Sequence, residues 1–390
     1  MISRLKVLGK SILKGVNAAA GNILPVIDVR RGGRIANVEM QTLAKPFTIE
    51  GRIKTYDYNT KSNAPYWITV FDKGVHVSGV SYLALPGAYL VGRGVIVYKK
   101  KVILESAIFQ MEYLNKLLVN HKIISSLFTK PKKKLGKVIP LLNKLSNNYY
   151  HWTTESLTRL AAFIEYSGDN YHDYDIIIAA DSPYFVRESL IALFGIKPEK
   201  IIQWQNTDCG VLDNCVLISY PFVRTPETVM TNMYNLPLYS LLKKISLTNL
   251  PSPNQAPTYI IISRANVNQR KLLGEQRLKE YFAPLPFQII HTEKMSYVEQ
   301  VYAFRNAKLV IGPHGAGLIN LIYVNNKPVV IELFPTTRKI RDAVAYHQVA
   351  REMNIDYHLL VKEPMNDEQD IEITDGILAE IKDILAPYGY

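Results

Sequence analysis

The apolar run 308–311 leads into Gly312-Pro313-His314-Gly315-Ala316-Gly317 and then into Leu318-Ile319-Asn320. A strand that meets glycines and then a helix can build an anion site. The glycines let the backbone turn sharply and approach a ligand, and the N–H groups of the new helix's first turn have no partners within the helix. A diphosphate suits such a place. The spacing Gly-x-x-Gly-x-Gly is neither the Gly-x-Gly-x-x-Gly of a dinucleotide fold nor the Gly-Lys-Ser/Thr ending of a P-loop. Upstream, Ser263-Arg264 directly follows the apolar run 259–262, with Arg270 and Lys271 on the same loop. Two guanidinium groups there can clamp phosphate oxygens and neutralise a departing diphosphate without a metal. His314, between glycines and with little core to belong to, is placed to donate to a phosphate or a sugar hydroxyl. Glu332, read as ending the next strand at its carboxyl edge, is placed to accept ribose hydroxyls, a surface ion pair being the plainer alternative.

A second group of chemical residues lies earlier, in the run Asn148-Tyr149-Tyr150-His151-Trp152-Thr153-Thr154-Glu155. His151 and Glu155 are four apart and share one helix face. A carboxylate that fixes the imidazole tautomer and stabilises its cation makes a usable general base, although the same spacing also decorates exposed helices. Asn148 and Trp152 flank the pair, and Asp181 follows the apolar run 176–180. These three are candidate contacts for the molecule that loses the proton.

Elements must position these groups. Residues 48–107 are short β runs punctuated by Gly, Pro and Asp-Lys-Gly turns, where the Arg93-Gly94 turn suggests no chemistry. A helical stretch over 108–129 ends in the lysines of 130–137, read as a solvated linker. From Lys137 onward strands alternate with helices, which predicts parallel sheets covered on both faces. The Pro-rich segment 251–257 is the best boundary in the chain. The expected organisation is therefore a basic amphipathic helix over 1–30, a β-rich extension over 31–136 and an α/β domain over 137–250. A second α/β domain follows over 251–390. Two doubly wound, Rossmann-like units would offer a cleft at the carboxyl ends of their strands.

Composition sets the bounds. The chain has 390 residues, 48% of them hydrophobic, a net charge of +12 and two cysteines, Cys209 and Cys215. Two cysteines are too few for a disulfide framework or a zinc site, and both read as packing residues in a reducing compartment. No apolar stretch is long enough to span a membrane, and no secretory signal is evident, so a cytoplasmic protein is expected. Ile2, Leu5, Leu8, Ile12 and Val16 fall at helical spacing among lysines and an arginine. Such a helix either docks on the protein's own body or lies on an anionic bilayer at the inner membrane face. The lysine run 130–137 lacks interleaved aromatics, so phosphorylated small molecules are expected as partners rather than nucleic acid.

Taken together, the 148–160 run, Ile262-Ser263-Arg264, Gly312-Pro-His-Gly-Ala-Gly-Leu-x-Asn and Val330-Ile-Glu-Leu-Phe-Pro resemble glycosyltransferase family 61. The resemblance covers roughly residues 50–360. It implies a GT-B-like fold and an inverting, metal-independent transfer from a nucleotide sugar, a UDP-sugar first, to a glycan or lipid-linked glycan, with no further cofactor. It also implies a bacterial enzyme of capsular or surface polysaccharide synthesis. On this resemblance Ser263, Arg264, Arg270 and the turn Gly312, His314, Gly315, Ala316, Gly317 hold the diphosphate. His151 or Glu155 takes the acceptor proton. Asp173-Tyr174-Asp175 matches the Asp-x-Asp of metal-dependent transferases but precedes its strand, so it reads as a solvated strand start and no metal site is expected. The rival readings are a nicotinamide-dependent oxidoreductase and a non-catalytic binder of polyanions, and neither accounts for His151 and Glu155.

Overall fold

The computed structural model describes residues 80–99, 106, 133–220, 236–251, 256–338 and 344–390, with short strands at 26–27, 39–44, 47–49, 75–77, 101–103, 223–224 and 229–230. The amphipathic segment 2–16, the run Trp67–Phe71 and the helix expected over 108–129 lie outside the described residues. Contacts divide the chain into two units, one of residues 1–45, 79–187 and 195–220, the other of residues 46–78, 188–194 and 221–390. The division follows Tyr220, so the helix Leu236–Asn249 falls in the second unit, ahead of the Pro-rich segment.

The first unit is built on a mixed sheet. Its parallel part runs Cys209–Ile218, Lys133–Pro140, Asp175–Ala179, Ile201–Trp204. Part of the β-rich region continues this sheet: Val80–Leu85 and Ala88–Val91 pair antiparallel with the two halves of Cys209–Ile218. That ten-residue strand is longer than the apolar run 215–218 suggests, because its first half alternates inward Gly210 and Leu212 with outward residues. The lysines of 133–137 are likewise not a linker. They form the first half of a strand whose outward lysines meet carboxylates, Lys133 with Asp208 at 2.5 Å, Lys134 with Asp213 at 3.3 Å and Lys137 with Asp173 at 3.3 Å. The second half, Val138–Pro140, is buried. Ile177, Ala179, Trp204, Cys215 and Leu217 pack with it, each large apolar side chain contributing about 1.5–3 kcal/mol.

The second unit carries a five-stranded sheet, Gln288–Ile290, Tyr259–Ile262, Leu309–Pro313, Val329–Pro335, Asp356–Lys362, with every neighbouring pair parallel. Numbered along the chain, the order is 2-1-3-4-5. The strand order therefore reverses between Tyr259–Ile262 and Leu309–Pro313, and open α/β sheets hold ligands at the carboxyl ends of such strands. Helices Glu275–Tyr281, Tyr297–Arg305, Val344–Glu352 and Asp375–Leu385 connect or cover it, and Ile377, Leu378, Ile381 and Ile384 of the last seal the core over Ile261, Ile311 and Ile331. Both units are thus α/β with parallel sheets.

Candidate functional site

In the first unit, the loop after Lys133–Pro140 passes into one helical run, α-helical at Tyr149–His151, π-helical at Trp152–Leu157 and α-helical again at Thr158–Ser167. A π turn widens the ladder, and side chains supply donors to the displaced carbonyls. The Thr154 hydroxyl donates to the Tyr150 carbonyl at 2.8 Å, Thr158 to that of Thr154 at 2.5 Å, and the Arg159 Nε to that of Glu155 at 2.8 Å. Asn148 caps the run, its side-chain oxygen accepting from the N–H groups of Tyr150 at 3.0 Å and His151 at 3.3 Å. That occupation engages its side-chain oxygen and leaves its amide nitrogen at an exposed position. Trp152 is corrected, since it is fully buried and belongs to the core.

The expected imidazole–carboxylate pair is formed. His151 Nδ1 lies 2.6 Å from Glu155 Oε1, with the His151 side chain 19% exposed and that of Glu155 0%. Burial opposes a charged imidazole, but the carboxylate's field and hydrogen bond outweigh it and hold His151 above its ordinary 6.5. One turn further, Arg159 is buried, donating to the Ile218 carbonyl at 2.7 Å and to the Tyr220 hydroxyl at 2.9 Å, with its guanidinium 3.7 Å from that ring's centre. Asn143 donates to the same hydroxyl at 2.8 Å. Burial foremost raises Tyr220 above its ordinary value and keeps it neutral. Neither Arg159 nor Tyr220 was legible as a functional group from spacing, although a cluster of hydroxyl residues inside a helix was the available sign of a π turn. Asp181, placed after its strand as expected, pairs with Arg93. Asp175, at that strand's start, pairs with Lys200 at 3.2 Å.

In the second unit, Arg264 and the glycine turn meet at the reversal of strand order. The glycines act through space rather than through unusual dihedrals. None of Gly312, Gly315 and Gly317 has a positive φ, and Gly315, at φ 173°, is extended backbone. A Cβ on Gly315 would lie 2.5 Å from an Arg264 guanidinium nitrogen, and one on Gly312 would lie 2.8 Å from the Ile262 Cβ. The chain does bend at His314 and Gly315, and the glycines also make a seat for neighbouring side chains. Ala316 opens a 3-10 helix, Ala316–Tyr323, where an ordinary helix is expected. Asn320 ties it back by donating to the Gly317 carbonyl at 3.0 Å.

His314 is buried here, with the rings of Phe334 and Tyr346 at 5.1 and 5.3 Å, so it does have a core to belong to. Its Nδ1 lies 2.5 Å from Glu332 Oε1. Glu332 does not end its strand: pairing continues through Leu333, Phe334 and Pro335, which leaves the carboxyl in mid-strand, fully buried and turned to His314 rather than to a ribose. Burial, then the charges of Arg338, Arg270 and Arg264, push His314 down to about 2, and burial raises Glu332 well above the carboxylate range. In a neutral couple the carboxyl O–H would donate to Nδ1 and the imidazole proton would lie on Nε2. Among the described residues Nε2 makes no hydrogen bond.

Three arginines surround this pair. Arg264 Nε donates to the Gln269 carbonyl at 3.0 Å, and Arg270 donates to the His314 carbonyl at 3.2 Å. Arg270 is held at φ 58°, a conformation that few non-glycine residues adopt. Arg338, three residues past the strand Val329–Pro335, is the one the sequence reading missed, although the same rule that picks out Arg264 applies to it. Ser263 is corrected: it is fully buried, and its hydroxyl donates to Glu275 at 2.7 Å and accepts from the Ala265 N–H at 3.1 Å, so it shapes the arginine loop. Among the described residues no three His, Cys, Asp or Glu side chains come together as metal ligands.

Residues 149–331 match the family model described as Glycosyltransferase 61. The match begins on the helical run of His151 and takes in Arg264 and the glycine turn. No curated protein matches the chain.

Proposed function

From the match of residues 149–331 to glycosyltransferase family 61, we propose an enzyme that moves one sugar from a nucleoside diphosphate, UDP first, to a hydroxyl of a glycan acceptor. Inversion at the anomeric carbon, independence of metal and a GT-B-like pairing of the two units are parts of this proposal. So is an acceptor belonging to a surface or capsular polysaccharide or its lipid-linked precursor, met on the cytoplasmic side of the membrane.

The observation that carries it is the 2.6 Å contact between His151 and a fully buried Glu155. Nδ1–H donates to the carboxylate, which leaves Nε2 to take the proton of the acceptor hydroxyl. The difference in exposure supports His151 as the base and Glu155 as its positioning partner. The acceptor oxygen attacks the anomeric carbon as the bond to the diphosphate oxygen breaks, and that oxygen keeps the electron pair. Arg264, Arg270, Arg338 and the Nε2–H of His314 supply fixed positive charge and a donor where the negative charge gathers.

The test is a thermal-shift and hydrolysis screen of the full chain against UDP-, GDP-, CMP- and ADP-sugars, NAD and NADP, with EDTA in every well. Stabilisation by one nucleotide sugar despite the chelator is expected. Stabilisation by NAD or NADP alone, or a strict need for metal, overturns the proposal.

A further inference from the structure

The hairpin turn between Ala88–Val91 and Val95–Tyr98 depends on two glycines. Gly92 and Gly94 hold φ +55° and +96°, and a Cβ on Gly94 would lie 2.3 Å from the Leu142 carbonyl oxygen. Positive φ favours glycine at both positions, and at Gly94 the space admits no side chain. The turn therefore rests on the chain just past Lys133–Pro140 and carries Arg93 over the carboxyl edge of the sheet. There Arg93 Nε donates to Asn206 Oδ1 at 2.7 Å, and the guanidinium also donates to the Asp181 carboxylate. Asn147 Nδ2 donates to the Asp181 carbonyl at 3.1 Å, and Asn147 Oδ1 accepts from the Ser182 hydroxyl at 3.4 Å.

Four side chains from four segments thus meet beyond the ends of three adjacent parallel strands, where α/β sheets hold ligands. Fold stability does not account for them. The side chains of Arg93 and Asp181 are 27% and 54% exposed, and a pair this open contributes about 0–1 kcal/mol.

Their chemistry suits a neutral, hydroxyl-rich ring. A carboxylate accepts from two hydroxyls, a guanidinium and an amide donate to hydroxyl oxygens, and an ion pair already balanced in charge does not favour an anion. Aromatic surface lies alongside for the apolar face of such a ring: Tyr184 is 56% exposed, and Tyr149 meets Phe185 edge to face at 5.2 Å. The group also adjoins the proposed base, because Asn147 directly precedes the residue that caps the His151 helix.

We infer that Arg93, Asn147, Asp181 and Asn206 form the acceptor subsite and hold a neutral pyranose with one hydroxyl turned toward His151. This rests on the transferase reading above. It names the acceptor class, and it places one specificity residue in the β-rich part of the chain.

Saturation-transfer NMR on the full chain tests it, with the methyl glycosides of glucose, galactose, mannose and N-acetylglucosamine as probes. Ring-proton transfer to at least one glycoside is expected in the wild type. Its affinity is expected to fall about tenfold or more in Asp181→Asn and in Arg93→Gln, the scale of one lost hydrogen bond. Asn147→Ala supplies a third variant should either of these lose its melting transition. No transfer from any glycoside in the wild type, or equal transfer in folded variants, overturns the subsite. Thermal shifts by nucleotide sugars in the same variants separate the two readings. If the shifts persist without glycoside binding, only the subsite fails; if no nucleotide sugar shifts the wild type, the transferase reading itself fails.

Discussion

His151 with Glu155 and His314 with Glu332 are the same chemical couple in two settings, and the protein drives them in opposite directions. In the first unit the couple lies along a helix, the imidazole is partly open to solvent and a single carboxylate dominates its field, so its proton affinity rises. In the second the imidazole is closed in by aromatic rings and faces three arginines, so it cannot hold a second proton. A base must gain and lose a proton near the working pH, whereas a donor to a phosphate must keep one at every pH. Geometry within each couple, 2.6 and 2.5 Å, does not separate these roles. The surrounding charge and burial do.

The comparison breaks most sharply at His151. In His151→Ala the transfer rate is expected to fall about 10²–10⁴-fold while the thermal shift by the donor persists, since a base acts on the rate and not on donor binding. Loss of the shift along with the rate would place His151 in donor binding instead. Next is Glu332. Glu332→Ala removes the partner that fixes the His314 tautomer and is expected to weaken donor binding about tenfold, the scale of one lost hydrogen bond to a charged group. Glu332→Gln can still donate an amide N–H to Nδ1 and should bind nearly as the wild type does. Calorimetric titration of both variants decides whether the proton on Nε2 is what matters.

Gly315→Ala should cost about tenfold in donor affinity with little change in melting temperature. The new methyl meets the mobile end of Arg264 rather than backbone, so the guanidinium moves and the fold does not. A large drop in melting temperature would make the glycine structural.

The smallest effect is the position of a curve. Because His151 sits above 6.5, the rate should climb with pH through an acid limb above that value, and Glu155→Gln should move the limb down, burial then being unopposed. Stability runs the other way. A raised folded-state value means that the charged couple stabilises the fold fully below about 6.5 and loses that contribution as pH rises through the folded value. His314 should add no acid limb near neutrality. Rate profiles and melting curves from pH 5 to 9 read both.

How far the sequence disclosed this site depends on the kind of signal. Spacing of four brings His151 to Glu155, and the glycine turn announces its position after a strand, because both are local patterns. Trp152 misled, since an aromatic beside a base reads as a sugar platform while the helix phase, altered by the π turn, sends it inward. Glu332 misled because it reads as a strand end, although the apolar Leu333 and Phe334 that follow already carry the strand to Pro335, where its pairing with Asp356–Lys362 ends. Arg93 lies 88 positions from Asp181, and no periodicity connects a hairpin tip to a distant strand end. The parallel α/β character was legible throughout, whereas the antiparallel pairing of Val80–Leu85 and Ala88–Val91 with the first sheet was not. That pairing depends on one long strand whose Asp213-Asn214 resembles a turn.

The π turn at Trp152–Leu157 has a consequence for how this chain can vary. A helix accepts substitutions far more readily than changes of length, since one residue added or removed rotates everything beyond it by about 100°. Here an extra residue is already accommodated. A single deletion within the turn would restore a regular helix with sound hydrogen bonding, and would close the widened ladder whose carbonyls Thr154, Thr158 and Arg159 now satisfy. A change of length at this point would therefore be felt first by the side chains that now reach those carbonyls, Arg159 among them, and less by the course of the helix on either side.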